Sequence, residues 1–230
     1  MLAFVDIQGR WLVEDPQVGP PHNREAAERA GNIAAAAGVP CQLVNYWNFS
    51  LDWMRANHIQ GFCISGNTPD WAEYDWDTFK PLQEAICSGD FPVLGFCGGH
   101  QLIGLTFGAP CDALGPLQPG EVDLMPDYHP GMRKEKGYLP LRPQNPQHPL
   151  FDGFPPSGPV IMESHYWEIK ELPPGFKLLA STDWCRIQVM QHQELPVFGI
   201  QGHPEAYTPE YPDGKRFIRN FAVMTGLIKP

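Results

Sequence analysis

One thiol in this chain stands in a setting that could do chemistry. In the stretch "PVLGFCGGHQLIG", Pro92 to Gly104, Cys97 has glycine two residues before it and two after it, Gly95 and Gly99, with Gly98 between. That spacing is the geometry of a strand-to-helix elbow, where the nucleophile occupies a strained backbone conformation and a Cβ at the flanking positions would collide with neighbouring chain. The helix opened by such an elbow favours a thiolate through its unpaired N–H groups and its dipole. The Gly98 N–H would point to where an oxyanion develops. The competing interpretation is a glycine-rich loop that holds a buried cysteine, or one that cradles a phosphate, although phosphate loops usually lack a cysteine.

A thiol nucleophile needs a base, and the base needs an orienting group. The best candidates lie 106 residues on, in "GIQGHPE", as His203 and Glu205. Pro204 between them imposes an extended kink, which puts the two side chains on one side as an i, i+2 pair. Glu205 can then accept the Nδ1 proton of His203 and leave Nε2 facing the thiol. A lone histidine after a strand is ordinarily a satisfied core or surface residue. The Pro-Glu that follows it, in a chain with a glycine elbow, favours the base.

The elements that must position these residues follow from hydrophobic periodicity. "LAFVDI" (Leu2 to Ile7) reads as a strand, and "NREAAERAGNIAAAAG" (Asn23 to Gly38) as an alanine-rich helix closed by glycine. "CQLVNYW" reads as a strand, then "SLDWMRANH" as a helix with Ser50 as its cap. "GFCISG" is a strand, and "DWDTFKPLQEAICSG" is mostly helix with Pro81 inside it. "PVLGFC" and "GGHQLIGLTFG" supply the fourth strand and helix. Four β-then-α units predict a parallel sheet covered by helices on both faces. From Ala109 the texture changes: 12 of the 26 prolines fall between Pro110 and Pro159. Aromatic and apolar residues persist through this 110–160 excursion, so it is expected to pack, with a few short strands, against the sheet's active edge rather than to act as a linker. Four strand-like segments follow, beginning "PVIMESHYWEI", "FKLLAST", "CRIQVMQH" and "PVFGIQGHPE", and the chain closes with a helix over about Gly214 to Thr225.

Composition narrows the function classes. At 230 residues the chain is expected to form a single α/β domain, residues 1–230. The net charge of −10 and the lack of a basic cluster beyond "RKEKG" argue against nucleic-acid binding. No apolar run approaches a membrane span, and the start "MLAFVDIQGRW" lacks the features of a signal peptide. Six scattered cysteines without zinc-type spacing predict free thiols in a reducing, cytoplasmic setting, with no metal and no cofactor.

Four segments together carry a family resemblance. "GFCGGHQ" resembles the G-x-C-x-G-x-Q nucleophile motif of class I (triad) glutamine amidotransferases, and "GIQGHPE" their G-x-Q-x-H-P-E motif. "ISGNTPD" (Ile64 to Asp70) is similar to their oxyanion strand, usually Ser-Gly-Gly-Pro. "ESHYWE" (Glu163 to Glu168) is similar to the Ser-His segment that lines the glutamine site. They occur in family order and cover nearly the whole chain. The resemblance implies a flavodoxin-like, doubly wound, mostly parallel sheet and a Cys97–His203–Glu205 triad. It implies oxyanion donors from Gly98 and the Gly66–Asn67 turn, and contacts to the substrate's amino-acid end from Gln101 and from backbone around Ser164, His165 and Tyr166. The implied reaction is cysteine-dependent hydrolysis of the side-chain amide of glutamine, or of a γ-glutamyl compound, through a γ-glutamyl thioester, with ammonia released to a partner synthetase. The sequence departs from the pattern at Asn67 (usually glycine), Thr68 (usually proline) and Gly202 (usually bulky). Asn tolerates positive φ, so an oxyanion turn is compatible with it.

Rival readings are a stand-alone hydrolase of γ-glutamyl conjugates, a dienelactone-hydrolase-like Cys α/β-hydrolase, and a non-catalytic binding module. In the second the acid precedes the histidine, whereas here it follows by two residues; the third usually loses a triad member. Other notable residues read blandly. Trp47, Trp53, Trp71, Trp76, Trp167 and Trp184 are expected to pack in the core or rim. Cys63 is core filler, His100 packs over the elbow, and Asp123, Asp127 and His129 form a solvated loop rather than a metal site.

Overall fold

The computed structural model describes residues 1–229. The chain runs β1 (Leu2–Asp6), α1 (Arg10–Val13), α2 (Gly19–Ala37), β2 (Cys41–Asn45), α3 (Leu51–Ala56), β3 (Gly61–Ile64), α4 (Lys80–Ser88), β4 (Val93–Phe96) and α5 (Gly98–Thr106). The second half holds β5 (Cys111–Ala113), β6 (Glu135–Pro140), β7 (Arg142–Pro143), β8 (Val160–His165), β9 (Trp167–Ile169), β10 (Phe176–Ser181), β11 (Val189–His192), β12 (Val197–Ile200) and α6 (Asp213–Met224). The main sheet has eight strands in the order β2-β1-β3-β4-β12-β11-β10-β7. Its first five strands pair in parallel. From β12 to β7 the pairing is antiparallel. This is the mostly parallel α/β sheet expected from the four β-then-α units.

Alternation along the strands divides the core between the two faces of the sheet. Val5, Ile64, Val93 and Val197 pack with Met54, Ile86, Leu102 and Ile103, which come from α3, α4 and α5. Phe4, Cys63, Leu94 and Phe198 point the other way, onto Ile33 and Ala37 of α2 and Phe217 and Phe221 of α6. Because side chains on a strand alternate with period two, each buried strand serves both layers, and the doubly wound form is the packing that covers both. Cys63 is wholly buried in the second layer, as core filler.

Local signals behave as their chemistry requires. Ser50 caps α3, its Oγ accepting the Trp53 N–H at 3.0 Å. Gly38 closes α2 in the left-handed conformation at φ 70°. Pro81 does not interrupt its helix: a 3-10 turn over Trp76–Phe79 precedes it, and Pro81 falls in the first turn of α4, where its missing N–H has no partner to lose. α2 starts earlier than the alanine pattern suggests because Pro20 and Pro21 occupy its first turn on the same principle.

The segment "PVIMESHYWEI" is one strand-like run in sequence but two strands in space. β8 pairs antiparallel with β6, and β9 pairs antiparallel with β5, with the break at Tyr166. The excursion thereby returns twice to the same short stretch and is anchored at both ends of it. Among the described residues no helix is long and apolar enough to cross a membrane.

Candidate active site

Cys97 lies between the end of β4 and the start of α5 with φ 47° and ψ −105°, a region that non-glycine residues rarely occupy. The flanking glycines are required by contact. A Cβ on Gly95 would run into the Gly99 carbonyl, and one on Gly99 would stand 2.5 Å from the Ile64 carbonyl oxygen. The elbow is tied to both neighbouring strands: Cys97 N–H donates to Ile200 O at 2.9 Å and Gly99 N–H to Ser65 O at 2.8 Å. Four strand ends therefore meet at the thiol, at the carboxyl edge of the sheet where open α/β folds place ligands.

β12 delivers the histidine. His203 Nδ1 stands 2.8 Å from Glu205 Oε1, and His203 N–H donates to Met162 O of β8 at 2.7 Å. Glu205 is buried, whereas the His203 side chain keeps one-fifth of its surface exposed. Burial works against the charged imidazole, yet the Glu205 carboxylate and Cys97 outweigh it and raise its pKa well above the usual histidine value. Gly66 is wedged between the two groups: a Cβ there would lie 2.9 Å from His203 Cε1 and 3.4 Å from Cys97 Cβ. Cys97, His203 and Glu205, distant in sequence, are thus brought into one contiguous set.

The Gly66–Asn67 turn faces the elbow, with the Asn67 nitrogen 3.0 Å from where a Cβ on Gly98 would be. Neither Gly66 nor Asn67 has positive φ, so the tolerance of asparagine for that region is not needed; steric room for His203 is what demands glycine at 66. Thr68 supplies what a proline could not. Its N–H donates to Gln8 Oε1 at 3.2 Å and its Oγ1 accepts from Gln8 Nε2 at 2.9 Å, pinning the turn to the end of β1.

Beside Cys97 a cleft enclosing about 370 Å³ is lined by Asn67, Asp70, Trp71, Gln101, Tyr128 and the run Ser164 to Trp167. Gln101 is held there by Trp71 Nε1, which donates to its Oε1 at 3.0 Å, and by its own Nε2 bonds to Trp167 O and Gln201 Oε1, both 3.3 Å. Tyr166 donates its hydroxyl to Asp70. The motifs point to neither Asp70 nor Tyr128, and they leave Trp71 and Trp167 to packing. Trp71 does pack, being only 6% exposed, but its indole N–H also orients Gln101. No local pattern marks Tyr128; it reaches the cleft because the excursion folds back, its hydroxyl donating to Thr68 O at 3.0 Å.

Three other residues differ in setting from their sequence pattern. The His165 ring is buried and bonded at both nitrogens, to Trp167 O at 2.9 Å and Glu135 Oε2 at 3.0 Å, with Glu163 3.4 Å away. Burial penalises its charge, but the two carboxylates prevail and raise its pKa to about 10. Glu135, His165 and Cys185 have potential ligand atoms within 4.8 Å of one another, a set that sequence spacing could not reveal. The ring nitrogens already have partners, and Gln188 Nε2 donates to Glu135, so these groups satisfy one another as they stand. The Asp123–His129 loop is not simply solvated. Lys134, buried to 1% exposure, reaches Asp123 Oδ1 at 2.7 Å and the carbonyls of His129 and Met132, and the His129 ring stacks on Tyr166 at 3.9 Å. His100 is buried against Gly199 behind the elbow, and burial pushes its pKa down to about 3.

Known proteins share this arrangement. The chain is 38% identical to the glutamine-hydrolyzing subunit of GMP synthase from Pyrococcus furiosus, over 76% of this chain and 81% of that one. It is 29% identical to the corresponding subunit from Methanocaldococcus jannaschii, over 76% and 80%. The crystal structure of a candidate GMP synthase subunit from Thermoplasma acidophilum superposes with a TM-score of 0.67 at 24% identity, covering 99% of this chain and 95% of that one, a likeness of fold. The family model of glutamine amidotransferase class-I matches residues 33–225, and the chain belongs to that family.

Proposed function

We propose that this chain hydrolyses the side-chain amide of glutamine through a γ-glutamyl thioester on Cys97 and delivers the ammonia to a partner synthetase. The observation that carries the reading is the contiguity of Cys97, His203 and Glu205 around Gly66, with the 2.8 Å His203–Glu205 bond fixing the ring. In this reading His203 takes the thiol proton as Cys97 attacks the amide carbonyl. Gly98 and the Gly66–Asn67 turn supply N–H donors to the oxyanion. His203 then gives its proton to the leaving nitrogen and activates the water that splits the thioester. Glu205 holds the imidazole in the useful tautomer and stabilises its charged form. The amino-acid end of glutamine occupies the cleft of Gln101 and of the backbone around Ser164, His165 and Tyr166, where the Asp70 carboxylate can receive the α-ammonium group.

Delivery to a synthetase is supported by the relatives, whose names describe a glutamine-hydrolyzing subunit of GMP synthase. The residues 1–230 are read as one working unit acting in the cytoplasm, in keeping with six cysteines none of which is in a disulfide. The test is ammonia release from glutamine, measured alone and with a synthetase subunit from the same source. Trapping of the labelled γ-glutamyl group on Cys97, identified by mass spectrometry, is the expected result. Turnover with the label on another residue, or none in either setting, would overturn the reading.

A further inference from the structure

Cys97 opens onto two clefts. Beside the one that holds Gln101 lies a second, enclosing about 960 Å³, and Asn67, Thr68 and Ser164 line both together with Cys97. His203 lines only the second. An amide whose acyl end fills the first cleft and whose carbonyl stands at Cys97 must therefore send its nitrogen toward His203, into the second. Ammonia as leaving group needs almost none of that volume.

The charges of the second cleft are mostly settled among themselves. Asp6, buried, is 2.7 Å from His22 Nε2; Glu25 is 3.0 Å from Arg29, and Glu205 is bound to His203. Lys136 is the exception. Among the described residues it is paired with no carboxylate, and its Nζ donates only to Ser164 Oγ, at 3.0 Å, on the side chain that stands at the junction of the two clefts. A cation without a counter-ion, beside the path of the leaving nitrogen, is what a small anionic group would complete.

We propose a further activity of this site: cleavage of γ-glutamyl amino acids, with the carboxylate of the departing amino acid held by Lys136 in the second cleft. The proposal rests on the thioester reading above. Cys97 Sγ forms its bond to the γ-carbonyl carbon as the C–N bond breaks. The thiol proton, carried by His203, goes to the departing amino group, and the amino acid leaves. Water then splits the thioester, yielding glutamate and restoring the thiol. A synthetase seated over the second cleft would suppress this activity, so it belongs to the chain without its partner.

The experiment compares three substrates on the full chain: glutamine, γ-glutamylglycine, and the neutral analogue γ-glutamyl ethylamide, with ammonia, glycine and ethylamine measured as products. The expected result is glycine release with kcat/KM about fivefold above that for the ethylamide, the scale of one exposed ion pair. Lys136→Met is expected to bring the two rates together, and Lys136→Arg to preserve the preference. Lys136 is exposed, so both variants should fold, and urea midpoints matching the wild type check this. Release of ammonia from glutamine without glycine from γ-glutamylglycine would overturn the subsite alone. An unchanged preference in Lys136→Met would do the same. Loss of every product from the wild-type chain would overturn the thioester reading and this proposal with it.

Discussion

Gly202 and Glu163 occupy one another's space: a Cβ on Gly202 would collide with Glu163 Oε1 and would lie 3.0 Å from its Cδ. The glycine one residue before the histidine, where relatives of this motif carry a bulky side chain, is thus explained by a carboxyl group wholly buried behind the base. Neither Glu163 oxygen has a hydrogen-bond partner, and the nearest cation is His165, at 3.4 Å. Gly202→Val is expected to destabilise the fold by about 1–3 kcal/mol, as overpacking does. The pair Gly202→Val with Glu163→Ala should recover part of that loss, read as coupling in a double-mutant cycle by urea unfolding. Strict additivity would show that the two residues do not compete for space.

The backbone strain at Cys97 sets function against stability. Glycine adopts φ 47° without penalty, so Cys97→Gly should abolish glutamine hydrolysis while raising the unfolding free energy by about 1 kcal/mol. Cys63→Ala and Cys185→Ala, which remove wholly buried thiols, should lose stability and keep the chemistry. A stable, active Cys97→Gly would rule out the thiol.

His203 and Glu205 should separate by degree. Loss of the imidazole in His203→Ala is expected to cut kcat by about 1,000-fold or more, and Glu205→Gln to cost less but still substantially, because the amide orients the ring without stabilising its charge. Equal and negligible effects in steady-state kinetics would mean that the 2.8 Å contact is purely structural.

Stability should fall as pH rises above neutrality. The folded pKa of His165, about 10, lies above its unfolded value, so the native state binds the extra proton between pH 6.5 and 10. That contribution is complete below pH 6.5 and disappears as pH climbs through 10. His203 is displaced in the same direction, by the Glu205 carboxylate and Cys97 acting against burial, and adds to the trend. Urea midpoints at about pH 6.5, 8 and 9.5 check it, and a midpoint that holds constant or rises would contradict the ion-paired state of these rings.

Lys134 bolts the excursion to the site. Its buried ammonium holds Asp123 and two carbonyls in the loop that carries Tyr128 and His129 to Tyr166. Lys134→Met leaves Asp123 without its partner and should cost about 3 kcal/mol, toward the low end for breaking a buried pair because Asp123 keeps some exposure. With the loop released, KM for glutamine should rise more than kcat falls. Unchanged kinetics would show that the excursion has no part in the cleft.

Much of this molecule was legible in the sequence because its signals are local. Four β-then-α units follow from periodicity, the elbow from glycines that leave no room for Cβ, and the Cys97, His203 and Glu205 set from two short motifs whose spacing restricts what they can do. Pairing across the chain is not local, and there the tertiary structure decided. Lys134 sits in a short basic run that reads as surface, yet it is buried because Asp123 and two carbonyls converge on it from the loop. His165 reads as a site residue, but the folding of β6 against β8 brings Glu135 opposite it and turns its ring into the interior. Tyr128 belongs to no motif and lines the cleft only because the excursion returns to Thr68. Spacing can specify what a residue does to its neighbours in the chain, whereas burial and ion pairing depend on which distant segments arrive, and that is settled by packing.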